Sequence, residues 1–413
     1  MFDSRMSPER MKPMLKLFSR LFSLGAAASL ALAGAAGYYH YTLPDSFYVT
    51  KGTELALHTA LPIESAASGE APAYAAETVP TRGSVSLRLF GIVPVKTVEV
   101  TAVDTPLVVP GGDPFGIKLL MDGVMVVGMG DVTPDGQCPA ERAGIQVGDM
   151  VLSVDDTPIN GNAALQQAIA AAEGESVRIR INRGGEIRTL SLTPLYSQSD
   201  GCYKAGLWVR DSTAGIGTVT YYMPDSGRFA GLGHPVCDVD TGEIIPLSSG
   251  EVVGVTIQSV IKGSAGAAGE LRGCFTSGRA AGELYLNNRC GVFGTLTSPP
   301  DPAGAVPLGL KQNVHTGEAV IRTTISGTEP REYDIVIEKA DWGSTGTKNM
   351  VIRITDPELL ETTGGIVQGM SGSPILQDGQ LIGAVTHVFV SDPTRGYGIF
   401  AENMYEYSAE TGG

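Results

Sequence analysis

The chain is short of the residues that would staple or metallate it. Its five cysteines, Cys138, Cys202, Cys237, Cys274 and Cys290, are scattered through 413 residues without a C-x-x-C pair. An odd count cannot pair completely, so no disulfide framework holds the fold, and zinc spacing is absent. One bridge between Cys274 and Cys290 stays open in an oxidising compartment. Charged residues make up only 18%, with a formal net charge of -15. That acidity argues against nucleic acid or anionic lipid as the main partner and fits a soluble surface. No cofactor or metal is expected. Histidine is rare, with five residues in all.

What is present points to a folded, strand-rich protein. The chain is 43% hydrophobic, with 54 glycines and 25 prolines. Many turns and short loops follow, and the length suits two or three domains.

Arg5, Arg10, Lys12, Lys16 and Arg20 precede an uncharged stretch from Leu21 to Tyr39. A basic segment followed by an apolar one is the pattern of an export signal or a membrane anchor. The positive flank holds the N-terminus in the cytoplasm and sends the rest out. Ala31-Leu32-Ala33 and Ala33-Gly34-Ala35 resemble small-residue cleavage sites, so a cleaved and an anchored chain both remain open.

The expected divisions are a basic segment and signal or anchor helix (1–42), a β-rich segment with a linker (43–111), and two folded domains, 112–197 and 198–413. Ile63 to Val79, rich in Ala, Ser, Glu and Pro, reads as the linker. Two strands separated near Pro94 are expected between Ser84 and Val109. Within 113–195, Pro139 to Gly144 reads as a short helix and Ala163 to Ala172 as an amphipathic one, capped by Asn160 or Asn162. Val177–Ile181 and Glu186–Leu192 form a hairpin about Gly184-Gly185. Pro114-Phe115-Gly116-Ile117-Lys118-Leu119 and Cys138-Pro139-Ala140-Glu141-Arg142-Ala143-Gly144-Ile145-Gln146-Val147-Gly148-Asp149 resemble a bacterial-protease PDZ domain. The expected peptide site is the backbone of Gly116, Ile117, Lys118 and Leu119, facing helix 163–172 and receiving a peptide C-terminus by strand addition. From Gly215 onward many short apolar alternations separated by Gly and Pro suggest a barrel or sandwich.

Gly369-Met370-Ser371-Gly372-Ser373-Pro374 carries the chemistry. A serine between glycines in a tight turn exposes its Oγ and frees adjacent backbone N–H groups to hold an oxyanion. Trypsin-like proteases carry Gly-x-Ser-Gly-Gly-Pro there. The match makes Ser371 the nucleophile, with the N–H groups of Gly369 and Ser371 as the oxyanion hole; Ser373 is the departure. Serine needs a base. His40 and His58 lie at the membrane flank, His315 in a turn, and His387 on the strand after the serine hairpin. His234, in Gly231-Leu232-Gly233-His234-Pro235, precedes the serine in the trypsin-like order. For the third member Asp238, Asp240, Asp301, Asp334, Asp341 and Asp356 all remain open.

Gly231 to Pro235, Gly364-Gly365-Ile366-Val367-Gln368-Gly369 through Pro374, Gly383-Ala384-Val385-Thr386-His387-Val388-Phe389-Val390 and Leu89-Phe90-Gly91-Ile92-Val93-Pro94-Val95-Lys96 resemble the stage IV B sporulation peptidase family of endospore-forming bacteria. The resemblance implies a mainly β chain with a few helices: a signal or anchor helix, a PDZ domain and a trypsin-like double β-barrel. It implies Ser371 and His234 as catalytic residues and places the acid at Thr355-Asp356-Pro357. It implies export to the forespore intermembrane space and attachment through the N-terminal helix. The substrate it implies is a protein, the regulator of an intramembrane metalloprotease, whose cleavage leads to sigma factor activation. Self-cleavage of the N-terminal region, within 63–80, is a further implication. A general envelope quality-control protease and a non-catalytic PDZ scaffold are the competing readings.

Overall fold

The computed structural model describes residues 8–67, 82–276, 280–298, 301–344 and 346–409. They fall into two units, the first made of residues up to 105 with 310–315 and 341–344. In it α1 (Pro8–Thr42) contains a stretch, Ser19–Thr42, long and apolar enough to cross a membrane. β1 (Ser46–Thr50), β2 (Ile63–Ala67), β3 (Arg82–Leu89) and β4 (Val93–Val103) form one sheet in the order β1-β4-β3-β2. β1 runs parallel to β4, and the other pairs are antiparallel. Period-2 alternation buries Leu87 and Leu89 with Phe47, Val49, Val98 and Tyr39 of α1. Two expectations change here. The turn lies at Phe90 to Ile92, and Pro94 sits inside β4 beside a register shift, where a missing N–H is tolerated. Ile63 to Ala67, read as linker, is the strand β2 bonded to β3, so a cut there would have to unzip it; 68–80 lie outside the described residues.

The second unit begins with β5 (Leu107–Pro110) and the long β6 (Pro114–Met129). Then come α2 (Pro139–Arg142), β7 (Met150–Val154), β8 (Thr157–Pro158), α3 (Asn162–Ala171), β9 (Val177–Arg183), β10 (Glu186–Leu192), β11 (Leu195–Ser197) and β12 (Cys202–Lys204). Val124, Val126, Ile145, Val151, Leu165 and Ile179 belong to the core of this small domain. Buried Asp149 ties it together. Its carboxylate takes two bonds of 2.6 Å from Arg183 and one of 2.8 Å from the Gln146 N–H. The hairpin turns at Gly184 and Gly185, both at positive φ. The N-cap of α3 is Gly161 rather than either asparagine, and Asp211 accepts the Asn162 N–H at 2.9 Å.

β13 (Leu207–Tyr222), β14 (Arg228–Gly231), β15 (Leu247–Ile261), β16 (Glu270–Phe275), β17 (Gly282–Asn288) and β18 (Gly291–Leu296) follow. The pairings β6-β15-β17-β18-β14-β13 return to β6 and close a six-stranded barrel. Pro114 to Leu120 of β6 pairs in it with Thr218 to Ser212 of β13. Past a register shift, Met125 to Met129 pairs with Arg210 to Leu207, and both strands enter the small domain. That domain is therefore inserted into the barrel rather than set before it, which corrects the boundaries 112–197 and 198–413. It also corrects the peptide site. Gly116, Ile117, Lys118 and Leu119 are paired on one edge with Ile216 to Thr213 and on the other with Val253 to Gly250. Neither edge is open to an added strand.

β19 (Val306–Pro307) pairs with β5. β20 (Gly317–Thr323), β21 (Arg331–Ala340), β22 (Met350–Ile354), β23 (Pro374–Gln377), β24 (Gln380–Phe389) and β25 (Asp392–Phe400) close a second six-stranded barrel in the order β20-β21-β22-β25-β24-β23. α4 (Pro357–Thr363) separates β22 from β23, and α5 (Ala401–Ala409) follows β25. The fold is mainly β: an apolar N-terminal helix, a PDZ domain and two barrels arranged as in trypsin-like proteases. Cys274 is exposed and Cys290 buried, and all five thiols are free, so the bridge left open is not made.

Candidate active site

Ser371 follows the buried Met370 in the turn before β23. Gly369 and Gly372 both have positive φ, +98° and +94°. A Cβ on Gly372 would fall 2.0 Å from the Thr218 carbonyl oxygen, so glycine is required there. Two threonines of β13 fix the turn from the first barrel. Thr218 Oγ1 donates to the Gly369 carbonyl at 2.7 Å, and Thr220 Oγ1 to that of Gly372 at 2.8 Å. The Thr218 N–H donates to the Ser371 carbonyl at 3.0 Å. With the carbonyls held, the N–H groups of Gly369 and Ser371 donate to no protein acceptor among the described residues. Two such donors, at the serine and two residues before it, are what an oxyanion hole requires. Ser373 is buried, and its hydroxyl donates to the Met370 carbonyl at 2.7 Å, bracing the turn.

His234 comes to this turn on a strained corner. Leu232 and Gly233 have φ of +67° and +69°, and a Cβ on Gly233 would sit 2.9 Å from Thr386 Cγ2. Ser371 Oγ donates to the Thr386 carbonyl at 2.9 Å, and the next residue, His387, lies ring to ring with His234 at 5.2 Å. The fold thus brings Ser371, His234 and His387 together. His234 Nδ1 lies 2.8 Å from the Pro235 carbonyl oxygen. A carbonyl only accepts, so Nδ1 carries the proton and Nε2 keeps its lone pair. Burial pulls the His234 imidazole below its ordinary value, against the Pro235 carbonyl, which raises it. His387 is held down to about 4 by desolvation, then by the charges of His234 and Lys348.

Asp356 does not join them. It is the N-cap of α4, its Oδ1 accepting the Leu359 N–H at 2.9 Å, while Nδ1 of His234 is taken by Pro235. Asp-Pro before an apolar helix is a capping signal as readily as a catalytic one. Asp238, four residues past the histidine, is buried and bonded to Arg210 of β13. The parts of Thr218, Thr220 and Arg210 are not legible in the sequence, because only strand register reveals their partners. Among the described residues no group of three or more His, Cys, Asp or Glu is placed to hold a metal ion.

The inserted domain has a groove of its own, about 600 Å³, walled by Leu165, Gln166 and Ile169 of α3 and by Leu207, Trp208 and Val209 of β13. The helix expected as one wall keeps that place; the strand is Leu207 to Val209, not Gly116 to Leu119. At its head the N–H groups of Ala205 and Gly206 donate to no protein acceptor among the described residues. Gly206 has φ +73°, and a Cβ there would meet the Gly130 carbonyl oxygen at 2.5 Å. Such adjacent N–H groups make an anion-binding concavity. The sequence signal was Lys204-Ala205-Gly206-Leu207-Trp208-Val209, a glycine before an alternating strand.

Comparisons with known proteins follow the same division. The PDZ domain profile matches residues 132–183. A candidate zinc metalloprotease of Clostridium perfringens is 32% identical over 69 residues, 17% of this chain and 20% of that protein. A candidate DegP-like periplasmic serine endoprotease of Halomonas elongata is 35% identical over 82 residues, 20% of this chain and 16% of that protein. The chain thus spans a fifth or less of the length of these relatives. Among solved structures, a protease of M. tuberculosis in its active form aligns with 61% of this chain and 88% of its own, at 16% identity and a TM-score of 0.29. A PDZ domain from Listeria monocytogenes aligns with 22% of this chain and 90% of its own, at 21% identity and a TM-score of 0.19. The profile of the SpoIVB peptidase S55 family matches residues 201–405, which hold His234, Ser371 and most of both barrels, and this segment of the chain belongs to that family.

Proposed function

We propose that the chain is an exported serine endopeptidase in which Ser371 attacks the scissile carbonyl and His234 takes its proton through Nε2. The observation that carries the reading is the pair of unengaged N–H groups at Gly369 and Ser371, beside a histidine whose Nδ1 is already spent. The hydroxyl turns from the Thr386 carbonyl to Nε2 as substrate arrives. The tetrahedral oxyanion takes the two N–H groups, and the imidazolium returns its proton to the leaving amine. The Pro235 carbonyl holds the tautomer, the part a carboxylate plays elsewhere. A fluorophosphonate applied to the purified ectodomain should attach to Ser371, located by mass spectrometry, and not label Ser371→Ala. An unlabelled folded wild type would overturn the reading.

The family supplies the finer part of the proposal. The substrate is the membrane-associated regulator of an intramembrane metalloprotease, met in the forespore intermembrane space, and its cleavage leads to sigma factor activation. The chain also cuts its own N-terminal region. The PDZ groove takes a peptide C-terminus: its carboxylate on the N–H groups of Ala205 and Gly206, its last side chain among Leu165, Ile169 and Leu207. Cleavage mapping with active and Ser371→Ala enzyme tests it. One or a few substrates are expected; cuts spread over many unfolded proteins would favour a quality-control protease.

A further inference from the structure

We infer that the turn between β3 and β4, Phe90-Gly91-Ile92, is a second membrane contact, seated in the outer leaflet of the bilayer that α1 enters. It rests on α1 lying in that bilayer. Ser19–Thr42 is 24 residues with a mean hydropathy of 1.5. At about 1.5 Å per residue it spans roughly 36 Å, more than the ~30 Å hydrocarbon core. Its outer end is marked by Tyr38 and Tyr41, 64% and 87% exposed, in the manner of an interfacial aromatic belt.

Strand direction brings the turn back toward the lipid. β1 leaves the end of α1 and runs parallel to β4, with Ser46 opposite Glu99. The start of β4 therefore lies beside the helix and not beyond it. His40 Nδ1 is 2.9 Å from the Val95 carbonyl oxygen, and Lys96 Nζ donates to the Leu43 carbonyl at 2.7 Å. From Val95 back to Ile92 is about 10 Å of strand, the rise of about seven helical residues. Ile92 thus lies on the membrane side of Val95 and His40, beside the last turns of the apolar run. Leu32, Ala35 and Ala36 pack on the same core as Val93, which agrees.

The turn is made for such a place. Ile92 is 78% exposed, Phe90 43% and Leu61 37%, with Pro62 and Pro94 exposed beside them. Phe90 holds φ +53°, a left-handed position where an aromatic residue is rare. The N–H groups of Phe90, Gly91 and Ile92 donate to the Pro62, Arg88 and Leu89 carbonyls. Spent backbone donors are the condition for entering lipid. Glu64, which stands beside Gly91, and Arg88 opposite it in register limit the depth to the headgroup boundary.

The test uses the full chain reconstituted in phosphatidylcholine vesicles, with Ile92→Trp against Lys51→Trp at the far end of β1. Flotation with the vesicles reads the helix, and acyl-chain bromination reads the turn. The emission added by Ile92→Trp should be blue-shifted and lost on bromination, and that added by Lys51→Trp unchanged. Phe90→Trp serves as the second probe if Ile92→Trp misfolds. Floating protein whose Ile92→Trp and Phe90→Trp emissions match Lys51→Trp would overturn the inference, as would failure to float. Phosphonate labelling of Ser371 is read separately and does not depend on either result.

Discussion

At the scale of residues, the site turns on which nitrogen of which histidine is free. Loss of His234 should cost as much as loss of Ser371, orders of magnitude in turnover, because nucleophile and base act as a unit. Loss of His387, which touches the His234 ring, should be milder; the reverse order in single-turnover rates would make His387 the base. The pH profile follows from the lowered His234 value. The base loses its proton at lower pH than an ordinary imidazole, so activity should rise through a midpoint below about 6.5. Stability has the same sign. Below the unfolded value the unfolded chain binds more protons, so stability should fall as pH drops through the window below about 6.5. Chemical denaturation at a series of pH values reads it. Asp356→Asn keeps a capping oxygen for Leu359. It should leave the cleavage rate within about tenfold, whereas loss of a triad carboxylate costs ~10⁴. A drop of that size would restore Asp356 as the third member.

At the scale of elements, local signals are legible in the sequence and strand pairings are not. The short helix at Pro139, the helix ahead of Ala172, the Gly184-Gly185 hairpin and the Ser371 turn each rest on residues within one turn or period, which a sequence displays. Gly116 to Leu119 resembled a peptide-binding strand because glycine followed by alternating apolar residues is common to an open edge and a barrel interior. Only register distinguishes them, and register is set by strands far along the chain. The correction can be measured. A peptide ending in a free carboxylate should bind the inserted domain, and its C-terminal amide at least about tenfold more weakly, since hydrogen bonds to a charged group contribute about 1.5–3 kcal/mol. Fluorescence polarisation reads both, and equal affinities would remove Ala205 and Gly206 as the cradle.

At the scale of the whole chain, the insertion changes what a deletion means. Removing 113–195 would take Pro114 to Leu120 out of the first barrel, so a 210–413 fragment should neither fold nor label with phosphonate. Excision of 130–206, joined by a flexible linker, leaves every barrel strand in place. Labelling by that variant, without selective cleavage of the natural substrate, is expected if the groove only selects. The shared strands also bear on how the chain acquires its shape. Pro114 to Leu120 must find Thr218 to Ser212 across a loop of roughly a hundred residues, a search whose entropic cost grows with loop length. The inserted domain shortens it. Once its local contacts form, Met125 to Met129 is already zipped to Arg210 to Leu207, and the barrel halves of the same two strands meet next. The PDZ domain is then a folding clamp for the enzyme that carries it. Asp149→Ala, which strips Arg183 and the Gln146 N–H of their shared partner, should slow the appearance of labelling during refolding, although Asp149 touches no residue of the active site. The peptidase would mature only after its ligand-binding domain has formed, and an exported chain would stay silent until then.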